Sequence, residues 1–284
     1  MAECIACGAN TSLPIYGGLT RCVECTHVWA EVEITDERLR DLYGRHYFFG
    51  EEYTDYLEDV DCARRNFAHR LRTLQRFLTP SHQRLFEIGC AYGVFLDLAK
   101  DRFRSVSGID ISEDAIAYAR RHFKVDARHG DLLETDLGGE QYDVVCLWDT
   151  VEHLRAPDRF IQKIASHMPA GSLLALTTGD IGSINARLRR EHWRLIHPPT
   201  HLHYFSQRSM ETMLGRLGFD VVHVEHPGNS RRLGSIADAV LRMRLGWEGA
   251  GVWMRDCALG RVPVYLNLFD IMSVVATRRG ASPS

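Results

Sequence analysis

No stretch of this 284-residue chain is both long and apolar enough to cross a bilayer, and the opening residues Met1-Ala2-Glu3-Cys4 carry neither a basic nor an apolar signal region. A cytoplasmic protein with no membrane segment is therefore expected. The sequence also lacks a surplus of either charge. With a net charge of −3 and a pI of about 6.5, it has no global positive field to recruit nucleic acid. Its hydrophobic content of 45% is ordinary for a globular protein, and the length allows one good-sized core plus a small appendage.

The eight cysteines fall into two groups. Cys4, Cys7, Cys22 and Cys25 form C-x2-C-x14-C-x2-C, whereas Cys62, Cys90, Cys146 and Cys257 are scattered. In a reducing compartment the first set reads as a tetrahedral thiolate site for structural Zn2+, and the second as small buried hydrophobes. Two knuckles joined by a loop carrying Gly17 and Gly18 make a zinc ribbon over residues 1–30, with metal replacing a core that so short a segment cannot build. Two redox pairs or free thiols are the alternative. His27 could stand in for one cysteine, although the paired knuckles argue against it.

The chain is organised around Leu85-Phe86-Glu87-Ile88-Gly89-Cys90-Ala91-Tyr92-Gly93-Val94-Phe95-Leu96. An apolar run ending in an acid, a glycine turn, and then apolar residues at helical spacing predict a buried parallel strand turning into a helix. The third glycine of G-x-G-x-x-G is missing, which argues against a dinucleotide. A second strand-like run, Val106 to Asp110, again ends in an acid, placed to accept hydrogen bonds from ribose hydroxyls, and Asp131 follows a third. Three acids at successive strand ends suit a nucleoside with a cationic tail and would repel a diphosphate.

These residues resemble the class I S-adenosylmethionine-dependent methyltransferases, over about residues 63–278. The resemblance implies an α/β, Rossmann-like seven-stranded sheet with S-adenosylmethionine as cofactor and S-adenosylhomocysteine as product. It assigns Glu87, Gly89 and Gly93 to the methionine end, with Ala91 where many members carry a middle glycine. Asp110 with Ile111 falls to the ribose, Asp131 with Leu132 to the adenine, and Trp148-Asp149 follows the fourth strand.

Along the chain, an aromatic and acidic segment at 31–62 opens with a short helix from Asp36 to Tyr43, and is either a lid or packing for the ribbon. The methyltransferase domain at 63–284 begins with an amphipathic helix, Ala63 to Leu78. Strands then follow at 85–88, 106–110, 124–128, 143–148, 172–178, 219–225 and 271–278. Helices are expected at 93–102, 113–122, about 156–167 and 207–217, an alternation that means a parallel sheet covered on both faces. An insertion at about 231–261, with a helical run near Ile236 to Leu245, faces substrate or a second copy in a homodimer.

Methyl transfer from a sulfonium needs alignment, exclusion of water and, for a hydroxyl or amine acceptor, removal of a proton. Glu152-His153 with Pro157 resembles the E-H-x-x-x-P stretch of quinone-biosynthesis O-methyltransferases, and His153 is the first candidate base or else a loop brace. His201-Leu202-His203-Tyr204-Phe205-Ser206 puts His201, His203 or Tyr204 in the substrate pocket, in a metal site with His153, or in structural hydrogen bonds, with Ser206 as the next helix cap. Arg187, Arg189, Arg190 and Arg194, with Arg231-Arg232, either grip an anionic substrate or form a solvated face. The expected activity is methylation of a small-molecule hydroxyl on a secondary metabolite, quinone-like compound or saccharide. The alternatives are a tRNA or rRNA methyltransferase using the ribbon to grip RNA, and a non-catalytic cofactor-binding partner. Against RNA stand the pI, a ribbon with Arg21 as its basic residue, and the absence of Asn-Pro-Pro-Tyr or Asp-Pro-Pro-Tyr after the fourth strand.

Overall fold

A computed structural model describes residues 3–32, 59–238, 257 and 259–280. The helix expected at 36–43 and most of the helical run from Ile236 lie outside these residues. The ribbon comes first, as three short antiparallel strands, β1 (Ser12–Pro14), β2 (Leu19–Cys22) and β3 (Val28–Ala30). Its knuckles place Cys4 Sγ 3.6 Å from Cys25 Sγ, and Cys7 Sγ 3.6 Å from Cys22 Sγ.

Helix α1 (Val60–Gln75) leads into β4 (Arg84–Ile88), and the glycine turn then opens α2 (Val94–Ala99). The alternation continues through β5 (Ser105–Asp110), α3 (Glu113–His122), β6 (Asp126–His129), β7 (Val144–Trp148), α4 (Pro157–Ala165) and β8 (Leu173–Gly179). Caps set the helix starts: Ser112 Oγ accepts from Ala115 N at the head of α3, and Pro157 fills the first turn of α4, where a missing N–H costs nothing. Sequence expectation and structure differ at β6, which starts two residues late because Lys124 takes φ +55°, a turn conformation that no strand accommodates.

Beyond β8 come α5 (Ile184–Arg189), β9 (His203–Tyr204), α6 (Gln207–Arg216), β10 (Phe219–Glu225), β11 (Asn229–Arg232), β12 (Pro263–Leu266) and β13 (Ile271–Arg278). Ser206 and Ser209 cap α6 reciprocally. The β11–β12 hairpin brackets the insertion and has no strand-like signature in its polar first arm, Asn-Ser-Arg-Arg. The main sheet runs β10-β13-β8-β7-β4-β5-β6, with β4 to β8 mutually parallel and β13 antiparallel to both neighbours. Every residue of β7 and β8 is buried, because helices cover both faces. Large-to-small changes in such a core cost about 2–5 kcal/mol each, so polar chemistry is confined to the strand ends. Strand order reverses between β4 and β7, which puts a ligand crevice outside their carboxyl ends.

The ribbon is not an isolated appendage. Its sheet has a fourth strand, β9, which pairs with β3 through Val28↔Tyr204 and Trp29↔His203.

Candidate functional site

At the end of β4 the backbone reverses through Gly89 (φ +76°) and Gly93 (φ +75°). A Cβ on Gly89 would lie 2.5 Å from Thr150 Oγ1, so the turn and the loop after β7 approach more closely than any side chain permits. Ala91, in the place of the family's middle glycine, holds φ +44°, a strained but attainable conformation for alanine. Its N–H donates to Asp110 Oδ2 (2.8 Å), while Ser112 N–H donates to Asp110 Oδ1 (2.8 Å). The end of β5 thus fixes the glycine turn through one carboxylate. Burial raises the Asp110 pKa, and these two N–H bonds oppose the rise.

Ile111 beside it leaves an apolar side chain 37% exposed, whereas Leu132 is buried, and Asp131 Oδ1 accepts from Leu133 N (2.7 Å). Glu87 is buried with Oε2 unpartnered; burial, then repulsion from Asp110, raises its pKa well above the carboxylate range. Trp148 Nε1 is likewise buried and unpartnered. Orphaned polar atoms of this kind are rare enough to need a partner that the described residues do not supply. Asp149, at φ +51°, receives Arg70 Nη2 at 2.6 Å and the Thr177 hydroxyl at 2.8 Å. Burial raises its pKa, but the Arg70 cation and these bonds outweigh it and keep Asp149 ionised. The Arg70 guanidinium also lies 5.6 Å over the Trp148 ring. Nothing in the sequence marks Arg70, which occupies one position of an amphipathic helix; its role follows from burial at 6% exposure. The acidic rim, the glycine cradle and the orphaned Glu87 carboxyl and Trp148 N–H fit a sulfonium nucleoside.

The loop after β7 faces the segment after β8. His153 Nδ1–H donates to Thr200 O (2.8 Å), and His201 Nδ1–H donates to Leu195 O (2.9 Å). A carbonyl can only accept, so in both neutral rings the lone pair sits on Nε2. The two rings pack edge to face at 4.6 Å. Burial depresses His153 to about 4 and also lowers His201, so both are neutral at physiological pH. Glu152, the acid of the E-H-x-x-x-P stretch, is 4% exposed with Oε2 unpartnered among the described residues, and burial, then Asp149, pushes it up to about 8. One ligand atom each from Glu152, His153 and His201 lies within 4.8 Å of the others, a spacing that one cation could bridge.

His203 does not join this group. Its ring meets His27 (Nδ1 to Nε2, 3.1 Å) and the Arg155 carbonyl (3.3 Å), because β9 turns it towards the ribbon, so of the roles expected for it structural hydrogen bonding is the one observed. Tyr204 is buried, and its hydroxyl donates to the His201 carbonyl (3.0 Å). Several of the arginines are also engaged: Arg194 with Asp270 (2.8 Å), Arg189 with Asn185 (3.0 Å) and Arg232 with Asp59 (3.0 Å).

The four ribbon sulfurs lie within 4.8 Å of one another. A tetrahedron with metal–sulfur bonds of about 2.3 Å has edges of about 3.8 Å, close to the 3.6 Å separations here, so the sulfurs fit a Zn2+ ion. His27 stands outside this sulfur set, buried against His203 and Phe205.

Comparison with known proteins agrees with this geometry. Residues 56–224 match the family described as "Methyltransferase domain". A dTDP-3-amino-3,6-dideoxy-alpha-D-glucopyranose N,N-dimethyltransferase of Streptomyces fradiae is 31% identical over 103 residues, 34% of this chain and 40% of that protein. A ubiquinone biosynthesis O-methyltransferase of Coxiella burnetii is 22% identical over 114 residues, 38% and 49% of the two chains. The chain thus spans less than half the length of these curated relatives. The structure of magnesium protoporphyrin IX methyltransferase from Synechocystis with bound SAH superposes with a TM-score of 0.55 at 14% identity, covering 86% of this chain and all of that one, which supports the fold. Because the family match takes in more than half of the chain, the protein belongs to the methyltransferase-domain family.

Proposed function

We propose that the protein transfers a methyl group from S-adenosylmethionine to a hydroxyl of a small molecule of the quinone-like or saccharide type. The observation that carries this reading is Asp110, whose two oxygens lock the glycine turn through Ala91 and Ser112 and keep further lone pairs for a ribose. Similarity to a ubiquinone O-methyltransferase and to an amino-sugar dimethyltransferase supports an acceptor of this class.

The bound cofactor would supply a methyl group already activated on a sulfonium. Glu87, Gly89, Ala91 and Gly93 would hold its methionine end, Asp110 with Ile111 its ribose, Asp131 with Leu132 its adenine, and Trp148-Asp149 would close the site beside Arg70. On the acceptor side, His153 presents an unprotonated Nε2, because Thr200 takes its Nδ1–H and burial keeps the ring neutral. It would take the acceptor's proton as the methyl bond forms, a contribution of about 10²–10⁴-fold. His201 stands next to it in the same tautomer, and Tyr204 fixes the His201 backbone. The ribbon would hold a structural Zn2+ through Cys4, Cys7, Cys22 and Cys25.

The test is incubation of the purified chain with methyl-labelled S-adenosylmethionine and fractionated metabolite extract. Label in a small hydroxylated compound supports the reading. Label recovered in RNA, or in nothing, rejects it.

A further inference from the structure

The ribbon and the acceptor loop are joined by a chain of contacts that neither the cofactor cradle nor the sulfur cluster requires. Leu202 and His203 are bonded on both sides. Towards the ribbon, Ala30 N–H donates to Leu202 O (2.9 Å) and His203 pairs with Trp29. Towards the catalytic loop, the N–H groups of Leu202 and His203 both donate to Glu152 O, at 2.9 and 3.1 Å. The side chains repeat the connection. His203 Nε2–H donates to Arg155 O, since a carbonyl can only accept; His203 Nδ1 therefore carries a lone pair, and His27 Nε2–H must donate to it. His27 is fully buried, its ring 4.7 Å from Phe205 and 5.3 Å from His203. Further along, the Thr26 and Ser206 hydroxyls meet at 3.0 Å, and Arg208 donates to Glu24 O at 2.7 Å.

We infer that His27 and His203 are positioning residues: the ribbon, through this two-histidine relay and β9, sets where the Glu152–Arg155 loop and the His153 ring sit. The inference rests on the reading of His153 given under Proposed function. His153 is bonded to Thr200, two residues before Leu202, and its own loop is bonded to Leu202 and His203, so a shift of the 200–204 segment displaces the ring from both directions. A displacement of about 1 Å at a reacting group can cost about 10²-fold in rate, so a relay far from the cofactor can govern turnover without touching substrate. The ribbon then serves as one wall of the acceptor side, and a metal held by Cys4, Cys7, Cys22 and Cys25 would stiffen that wall.

The experiment compares His27→Phe, which keeps an aromatic ring against Phe205 but removes the donor, with His27→Gln, whose amide can still donate to His203 Nδ1. Both are made in the full-length, zinc-loaded protein. Three readouts are taken: the ring nitrogen signals of His153 by NMR, amide hydrogen exchange across the molecule, and S-adenosylhomocysteine affinity by calorimetry. In His27→Phe we expect shifted His153 signals and exchange about tenfold faster at 150–155 and 200–204, with 85–96 and the cofactor affinity unchanged; in His27→Gln all three stay near wild type. Unmoved His153 signals and exchange in His27→Phe would overturn the relay, as would equal losses in both variants or acceleration spread evenly over the sheet. Absence of S-adenosylhomocysteine binding in the wild type would instead overturn the proposed function and leave the relay to the first two readouts.

Discussion

The two sides of the crevice solve opposite problems. On the cofactor side the key group is an acceptor, Asp110, satisfied by backbone N–H groups from Ala91 and Ser112 within the turns that follow β4 and β5. On the acceptor side the key groups are ring N–H donors, His153 and His201, satisfied by the backbone carbonyls of Thr200 and Leu195. The first arrangement holds the Asp110 carboxyl in place through two backbone N–H groups, with the ribose proposed as its further partner. The second fixes both neutral rings in the Nδ1–H tautomer. The Asp110 side is built from neighbouring turns, whereas the His153–His201 side is assembled from segments distant in sequence.

The sharpest way to break this contrast is at Asp110. Asp110→Ala removes both the ribose acceptor and the clamp on the turn, and should weaken S-adenosylhomocysteine binding by about 100-fold or more, since hydrogen bonds to a charged group contribute about 1.5–3 kcal/mol each; calorimetric titration measures it. His153→Ala should leave that affinity within twofold and slow turnover by about 10²-fold, read as incorporation of labelled methyl. Next in size, Gly89→Ala drives a Cβ into Thr150 and holds alanine at φ +76°, so a loss of about 2 kcal/mol in denaturant unfolding is expected, eased when Thr150 is also changed to alanine.

A smaller effect separates the sides by pH. His153 and His203, depressed from 6.5 to about 4 by burial, stabilise the fold above pH 6.5 and lose that contribution as pH falls towards 4, because the unfolded chain then binds more protons. Glu152, raised from 4.5 to about 8, works the other way: its contribution is complete below pH 4.5 and fades as pH rises to 8. Melting temperature should therefore fall from pH 6.5 to 4 in the wild type, and Glu152→Gln should lessen the decline between pH 6.5 and 8. The smallest change is Ala91→Gly, which relieves a φ of +44° at the cost of unfolded-state entropy and should move stability by less than about 1 kcal/mol.

The same contrast explains what could be read from the chain alone. The strands ending at Ile88, Asp110 and Trp148, and the α3 and α6 caps at Ser112 and Ser206, are local events, set by apolar runs, a glycine turn and a hydroxyl three residues before its partner N–H. The four-cysteine spacing is equally local. The separation of His203 from His201 is not local in this way: β9 covers His203–Tyr204 alone, and its partner β3 lies some 175 positions away. Arg70 carries no local signature, and Glu152 is marked only as the acid of the E-H-x-x-x-P stretch: both matter through burial, which depends on how helix and loop pack at the strand ends. The β11–β12 hairpin escaped for a related reason, since pairing between distant segments compensates for a polar strand.

The claim on which the account stands is that the ends of β4 and β5 form a nucleoside cradle. Calorimetric titration of the intact chain with S-adenosylhomocysteine tests it most directly. The account predicts saturable binding of one molecule per chain; no heat of binding up to millimolar ligand would contradict it.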